Sequence, residues 1–207
     1  MTYSKISVDI EDRIATITLT DPERRNAMSL PMREECMSAL RELETSDDAD
    51  CIILTGDGPK AFSAGADINE LKERTITSEL SSQANLRRDF PRFLETMRLP
   101  TVACINGHCL GAGLEIALAY TLRIAATSAR LGLPEINLGV IPGSGGTQRL
   151  ARVVGLGRAM EMVTLGEPIS AQSAFTIGLV NAVHDDSDLT EAGREICRKW
   201  QAKGAVS

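Results

Sequence analysis

The chain has 207 residues, of which 43% are apolar. This is enough for one sizeable domain with its own core, and it excludes a short peptide or a disordered tail. The 22 basic and 28 acidic residues give a formal charge of −6. Because an acidic chain repels phosphate backbones, we expect no nucleic acid partner.

Cysteine usage and hydropathy indicate the compartment. The five cysteines are scattered without a Cys-x-x-Cys pair, a pattern typical of reduced thiols that fill the core of an intracellular protein. The first ten residues contain Lys5 and Asp9 and lack the apolar stretch of a secretory signal. Charged residues interrupt the most apolar region, 102–126, so we expect no membrane association. A cytoplasmic location is predicted, or the mitochondrial matrix in a eukaryote.

The first half of the chain alternates strand and helix patterns. Apolar residues at every second position predict a half-buried strand over residues 14–20. A spacing of three and four after Ser29 and Pro31 predicts a helix over residues 30–43. Short apolar runs at 51–54 and 102–105 predict buried strands, and each is followed by a glycine-rich turn. A helix is then predicted from Gly111 to Ala119.

The second half continues this pattern. Residues 122–126 and 179–183 read as strands. Helices are predicted to begin at the capping residues Ser144, Ser170 and Asp188, and to reach residues 154, 177 and about 202. Gly178 suits the left-handed end of the second of these helices. The order of elements predicts an α/β fold in which helical crossovers join parallel strands.

Two glycine-containing stretches follow predicted strands and open helices. Residues 62–67 and 106–115 would each present backbone N–H groups that can hold an anion or a developing negative oxygen. Taken alone, the first stretch is more often only a tight turn capped by Asp67, because such helix starts are common. The second lacks the third glycine of a dinucleotide fingerprint, because Ile116 occupies that place. Two such stretches together favour a functional role.

Two carboxylates lie in apolar surroundings. Glu115 is costly in its apolar helix unless it faces a cavity or forms an ion pair, for which Arg123 is a possible partner. Glu135 is flanked by apolar residues. If the two carboxylates met, their pKa values would be raised and separated, as acid–base catalysis near neutral pH requires. Their spacing in the sequence leaves open whether they meet.

Other chemistries lack their motifs. Residues 139–149 have no Gly-Lys-Ser/Thr end of a nucleotide-binding loop and no Gly-x-Ser-x-Gly elbow around Ser144, which argues against phosphoryl transfer and a serine hydrolase. His108 and His184 are far apart and lack a ligand spacing, so no metal site is expected.

The glycine stretches, together with residues 26–29, 134–135 and 141–149, resemble the enoyl-CoA hydratase/isomerase (crotonase) family over nearly the whole chain. The resemblance implies a crotonase-like spiral of repeated strand–strand–helix units, in a single domain over residues 1–207. Most of the family's C-terminal helical region would be missing from such a domain. Where it is complete, that region covers part of the acyl-CoA site and supports homo-oligomers, trimers or hexamers.

The resemblance also implies residue roles. The thioester oxygen would lie between the N–H groups of Ala66 and Ala112, where the family usually has glycine at the second place. Glu115 would deprotonate a water that the N–H of Gly143 also contacts, and Glu135 would protonate the α-carbon. Substrate and CoA binding would involve Arg24, Ala27, Ala64, Asp67, Ile68 and Gly111.

The implied reaction is hydration of a trans-2-enoyl-CoA to a 3-hydroxyacyl-CoA in fatty-acid β-oxidation, without metal or redox cofactor. Arg24 and Arg25 can contact CoA phosphates, but solvated surface charges explain them equally well. Two alternatives stay open. One is an enoyl-CoA isomerase that uses a single glutamate, and the other is a non-catalytic acyl-CoA-binding or scaffolding protein.

Overall fold

A computed structural model describes residues 3–73, 75 and 77–204. Met1 and Thr2, which belong to the stretch examined for a secretory signal, lie outside the described residues. No helix in these described ranges is long and apolar enough to cross a membrane.

The strands of the described chain form two sheets. In chain order they are β1 (Ile6–Glu11), β2 (Ile14–Leu19), β3 (Cys51–Gly56), β4 (Ala61–Ser63), β5 (Thr101–Ile105), β6 (His108–Leu110), β7 (Leu122–Ala126), β8 (Arg130–Gly132), β9 (Ile169–Ser170) and β10 (Ala182–His184). The larger sheet has the order β1-β2-β3-β5-β7-β10, and the smaller has the order β4-β6-β8-β9. From β3 to β8 each turn of the chain adds one strand to each sheet, which confirms the predicted spiral.

The pairing is mostly parallel. All neighbours in the larger sheet are parallel except β1 and β2, and in the smaller sheet only β8 and β9 are antiparallel. The apolar run at 51–54 is almost fully buried in the middle of the larger sheet, as expected for a parallel strand that is covered on both faces.

Helices cover the sheets and connect their strands. They are α1 (Leu30–Thr45), α2 (Ile68–Lys72), α3 (Ser82–Thr96), α4 (Ala112–Ala117), α5 (Gly146–Val154), α6 (Leu156–Leu165), α7 (Ala171–Thr176) and α8 (Leu189–Gln201). Most of them pack on one large core, whereas α8 packs on a smaller one that includes Cys51, Cys104 and Cys197. All five cysteines are free and buried, which confirms that they are core thiols.

Three predicted element boundaries are wrong, and the local backbone explains two of the differences. The helix expected to begin at Ser144 begins at Gly146, because Gly145 has a φ of +98°, outside the helical region. The strand expected over 179–183 begins at Ala182, since the Leu179 N–H turns back to the Ala174 carbonyl. The helix expected from Gly111 to Ala119 is only Ala112–Ala117.

The capping predictions divide similarly. Ser29 accepts from Met32 N–H and Ser170 accepts from Ser173 N–H, so both cap their helices as predicted. Asp188 precedes α8 without a side-chain cap, because its backbone, with φ −101° and ψ −10°, is not in the extended conformation of a capping residue.

Candidate active site

The two glycine stretches meet beside one cavity of about 200 Å³. They follow β4 and β6, which are parallel neighbours in the smaller sheet, so both stretches leave the same edge of that sheet. A Cβ added to Gly65, whose φ is +103°, would lie 2.9 Å from the Leu110 carbonyl oxygen. Only glycine allows the two loops to approach this closely.

Two unpaired backbone amides border the cavity. Ala112 is the first residue of α4, so its N–H has no partner within the helix. The loop around Ala66 is fixed on both sides, by the Met28 N–H bond to Gly65 O at 2.8 Å and by Asp67, which caps α2. Within the described part of the chain, neither Ala66 nor Ala112 donates its N–H to a protein acceptor. Both amides are therefore available to a ligand oxygen.

Glu115 lies on α4 with only 2% of its surface exposed. Its Oε1 accepts the N–H groups of Ser144 at 2.7 Å and Gly146 at 2.8 Å. Burial raises the pKa of Glu115, and these two hydrogen bonds oppose the rise because they favour the charged form. The ion pair with Arg123 that the sequence left open is wrong, since Arg123 donates to the carbonyls of Leu179 and Tyr120.

Glu135 lies in a 3-10 turn, Pro134–Leu138, against the second glycine loop. A Cβ added to Gly111 would lie 3.1 Å from its Oε1. Its Oε2 is buried with no hydrogen-bond partner among the described residues. Burial raises the pKa of Glu135 to about 7, and the nearby negative charge of Glu115 adds to the rise. The structure thus brings together the two carboxylates that spacing alone could not connect.

The remaining predicted site residues divide into two groups. Ala64, Ile68, Gly111 and Gly143 line the cavity with both amides and both carboxylates. Arg24, Ala27 and Asp67 are not among the lining residues. The Arg24 guanidinium instead pairs with Asp67 Oδ2 at 2.9 Å, and the Ala27 carbonyl accepts from Ser29 N–H.

Sequence reasoning missed several lining residues. Arg33 is buried on α1 and pairs with Glu70 Oε2 at 3.2 Å. Its place three residues before Cys36, on the apolar side of the predicted helix, is a signal that could have identified it. Leu138 and Ile141 also line the cavity although they are exposed, and Arg87 and Arg88 on α3 complete one side. No periodicity marks these four.

A metal centre is not apparent in the described part of the chain, where no group of three or more His, Cys, Asp or Glu residues could hold an ion. The polar groups that face the cavity are instead amides, carboxylates and guanidinium groups. They suit a polarised carbonyl compound, to whose oxygen the amides can donate hydrogen bonds and whose protons the carboxylates can move.

Residues 9–207 match the family described as enoyl-CoA hydratase/isomerase, so the chain belongs to this family. Among its relatives is a short-chain-enoyl-CoA hydratase of Clostridium acetobutylicum, 39% identical over 100% of this chain and 79% of that protein. A crotonyl-CoA hydratase of Syntrophomonas wolfei is 35% identical with the same coverage. A crystal structure of enoyl-CoA hydratase from Bacillus anthracis has a TM-score of 0.93 and 39% identity, covering 98% of this chain and 78% of that one.

Proposed function

We propose that this protein hydrates trans-2-enoyl-CoA thioesters to 3-hydroxyacyl-CoA. The observation that carries the proposal is one cavity in which two carboxylates of different environment face two unpaired amides. Relatives described as short-chain-enoyl-CoA and crotonyl-CoA hydratases support it.

In this proposal the amides of Ala66 and Ala112 form the oxyanion hole. When water adds to the β-carbon, negative charge develops on the thioester oxygen, and fixed N–H donors stabilise that charge more than they stabilise the substrate. One such donor is typically worth about 2.7–4 kcal/mol. Alanine at position 112 does not remove the donor, because the donor is the main-chain N–H.

The carboxylates divide the proton transfers. Glu115 is the base: its Oε1 is occupied by two amide donors, which leaves Oε2 to take a proton from the attacking water. The N–H of Gly143, on the same loop, contacts that water. Glu135 is the acid that protonates the α-carbon. A pKa of about 7 keeps a substantial protonated fraction near neutral pH.

The CoA portion extends from the cavity along the first glycine loop. Ala64, Ile68 and Gly111 contact the thioester end inside the cavity. Arg24 and Ala27, with Asp67 holding the Arg24 guanidinium, lie on the path of the nucleotide end. No metal or redox cofactor is required, because water adds across the double bond without net oxidation and CoA is part of the substrate.

We also propose a role in fatty-acid β-oxidation. We place the protein in the cytoplasm, a location that the five free cysteines support. Self-association is proposed as well. Exposed apolar side chains on α6 and α7 support it, namely Leu156, Met160, Leu165 and Phe175. Sedimentation analysis of the purified protein tests this part, and a monomer at all concentrations would contradict it.

The test of the activity is the loss of conjugated thioester absorbance when the protein is mixed with crotonyl-CoA. We expect turnover, and we expect Glu115→Gln and Glu135→Gln each to lower kcat about 10²- to 10⁴-fold, as for loss of a general base or acid. Unchanged rates in both variants would remove the two-carboxylate mechanism. A Glu135→Gln variant that keeps full turnover of a 3-enoyl-CoA would indicate an isomerase. Thioester binding without turnover would indicate a non-catalytic binding protein.

A further inference from the structure

The loop that holds Glu115 is itself held by a charged pair. Arg149 on α5 donates from Nη1 to the Ser144 carbonyl oxygen at 2.7 Å. The same guanidinium binds Glu95 on α3 through two hydrogen bonds, Nε to Oε1 at 2.9 Å and Nη2 to Oε2 at 2.6 Å. Such a two-pronged pair fixes the orientation of the guanidinium plane as well as its position.

The Ser144 carbonyl connects Arg149 to the two amides that bind Glu115. It lies in the chain between the Ser144 and Gly146 amides, both of which donate to Glu115 Oε1. Gly145 joins them with a φ of +98°, and a Cβ there would collide with Arg149 Nη1. A Cβ at Gly146 would lie 2.9 Å from Glu115 Cγ. Loop, guanidinium and catalytic carboxylate are therefore packed without spare room.

The burial of Arg149 distinguishes the Arg149–Glu95 pair from an ordinary surface ion pair. Only 11% of the Arg149 side chain is exposed, although that of Glu95 is 39% exposed. The Arg149 guanidinium holds the pKa of Glu95 below its ordinary value. Burial raises the pKa of Glu115, and the positive charge of Arg149 is a smaller cause that opposes this rise. Arg149 thus acts on the base in two ways, through the geometry of the loop and through its charge.

We propose that Glu95 and Arg149 are positioning residues that hold the Ser144–Gly146 amides on Glu115, so that its free oxygen is aimed at the attacking water. The inference rests on the proposed hydration for its catalytic consequence. Neither residue touches the substrate in this scheme. A fixed distance between base and water matters because a displacement of about 1 Å can cost about 10²-fold in rate.

Variants of Arg149 separate the two effects. We expect Arg149→Gln to lower kcat about 10- to 100-fold with little change in KM, and to move the acid limb of the pH profile upward because Glu115 loses a nearby positive charge and its amide hydrogen bonds loosen. Arg149→Lys keeps the charge but cannot form the two-pronged pair. It should still lower kcat, and it should move the acid limb upward less than Arg149→Gln does, because the charge remains while the amide hydrogen bonds to Glu115 loosen.

Two further variants complete the test. Glu95→Gln leaves the guanidinium charge but loosens it. If the pair acted only through its charges, Glu95→Gln would lower the pKa of Glu115 and leave kcat unchanged. If the pair positions the loop, Glu95→Gln lowers kcat. Arg152→Gln, on the same helix and exposed, removes an equal charge that also acts on Glu95 but makes none of the hydrogen bonds that join Arg149 to Glu95 and Ser144, and it serves as the matched control. We expect its kcat and pH profile to match those of the unmodified protein.

The outcomes are distinguishable from failure of the hydratase proposal. If the unmodified protein hydrates crotonyl-CoA while Arg149→Gln matches Arg152→Gln in kcat and pH profile, the positioning role is overturned. If the unmodified protein does not hydrate crotonyl-CoA, the pKa of Glu115 can still be measured by a ¹³C NMR titration of labelled glutamate, with the Glu115 signal assigned by Glu115→Gln. A Glu115 pKa unchanged in folded Arg149→Lys, which keeps the charge, would then overturn the positioning role, and a raised pKa would support it because the amide hydrogen bonds to Glu115 have loosened.

Discussion

Replacing Glu135 with glutamine should make the protein less active and, above neutral pH, more stable. The folded-state pKa of Glu135 is about 7, against an ordinary value of 4.5. Because the folded protein keeps this proton to higher pH than the unfolded chain does, the contribution of Glu135 to stability falls as pH rises from about 4.5 to 7. Glutamine does not titrate and escapes this loss.

The size of the effect follows from the displaced pKa. A displacement of one pKa unit corresponds to about 1.36 kcal/mol, so the raised pKa of Glu135 corresponds to at most about 3 kcal/mol. Glu135 is only partly buried, and solvent screening reduces the expected gain for Glu135→Gln to about 2 kcal/mol. The gain should be complete above about pH 7 and absent below about pH 4.5.

Urea unfolding of both proteins at about pH 4 and about pH 8 measures this difference, while crotonyl-CoA turnover measures the loss of activity. The unmodified enzyme should also lose activity above about pH 7, with roughly a tenth of the protonated acid left one unit higher. A Glu135→Gln variant with equal or lower stability at about pH 8 would refute the reasoning, because it would show that the buried carboxylate carries no desolvation cost. The gain would mean that the site keeps an unfavourable group for its chemistry.

Two further predictions concern single residues with matched controls. Gly65→Ala should destabilise the protein by about 1–3 kcal/mol and lower kcat, since the positive φ of Gly65 and the Leu110 carbonyl both oppose a Cβ. Gly157→Ala is the control and should keep the stability and kcat of the unmodified protein, because nothing lies within 4 Å of the added Cβ. Equal thermal midpoints for the two variants would contradict this prediction. Ser170→Ala should cost about 1 kcal/mol through the lost cap on α7, whereas Asp188→Ala, which removes no cap hydrogen bond, should stay within about 0.5 kcal/mol in urea unfolding.

The larger sheet could be predicted from the sequence because its strands are buried long enough to show a pattern. The apolar runs at 51–54, 102–105 and 122–126 all became strands. The smaller sheet could not, since β4, β6 and β8 have three residues each and show no recognisable period. Their pairing is set by the spiral, which is a long-range property of the chain.

The caps show the same division between local and tertiary causes. Ser29 and Ser170 have extended backbones before their helices, and both cap as predicted. Ser144 has the same residue type and a helix just beyond it. The residue that directly precedes this helix is Gly145 in the left-handed region, and the amides on either side of it donate to Glu115, about thirty positions earlier. No local rule could foresee this long-range contact.

The site depends on that long-range arrangement more than on any single motif. Because β4 and β6 are parallel neighbours, the two loops that follow them must emerge at one edge of the sheet, and each brings an unpaired amide to the same place. Glu115 is carried there by the helix that the second loop opens, whereas its support comes from Arg149 and Glu95, 54 residues apart. Arg149 ends the stretch 141–149 that carries the family resemblance, whereas Glu95 lies outside every such stretch. The motifs thus identify which residues react, but the aim of the base also depends on a residue outside them. Variation at Glu95 should therefore tune the rate while the recognisable motifs stay unchanged.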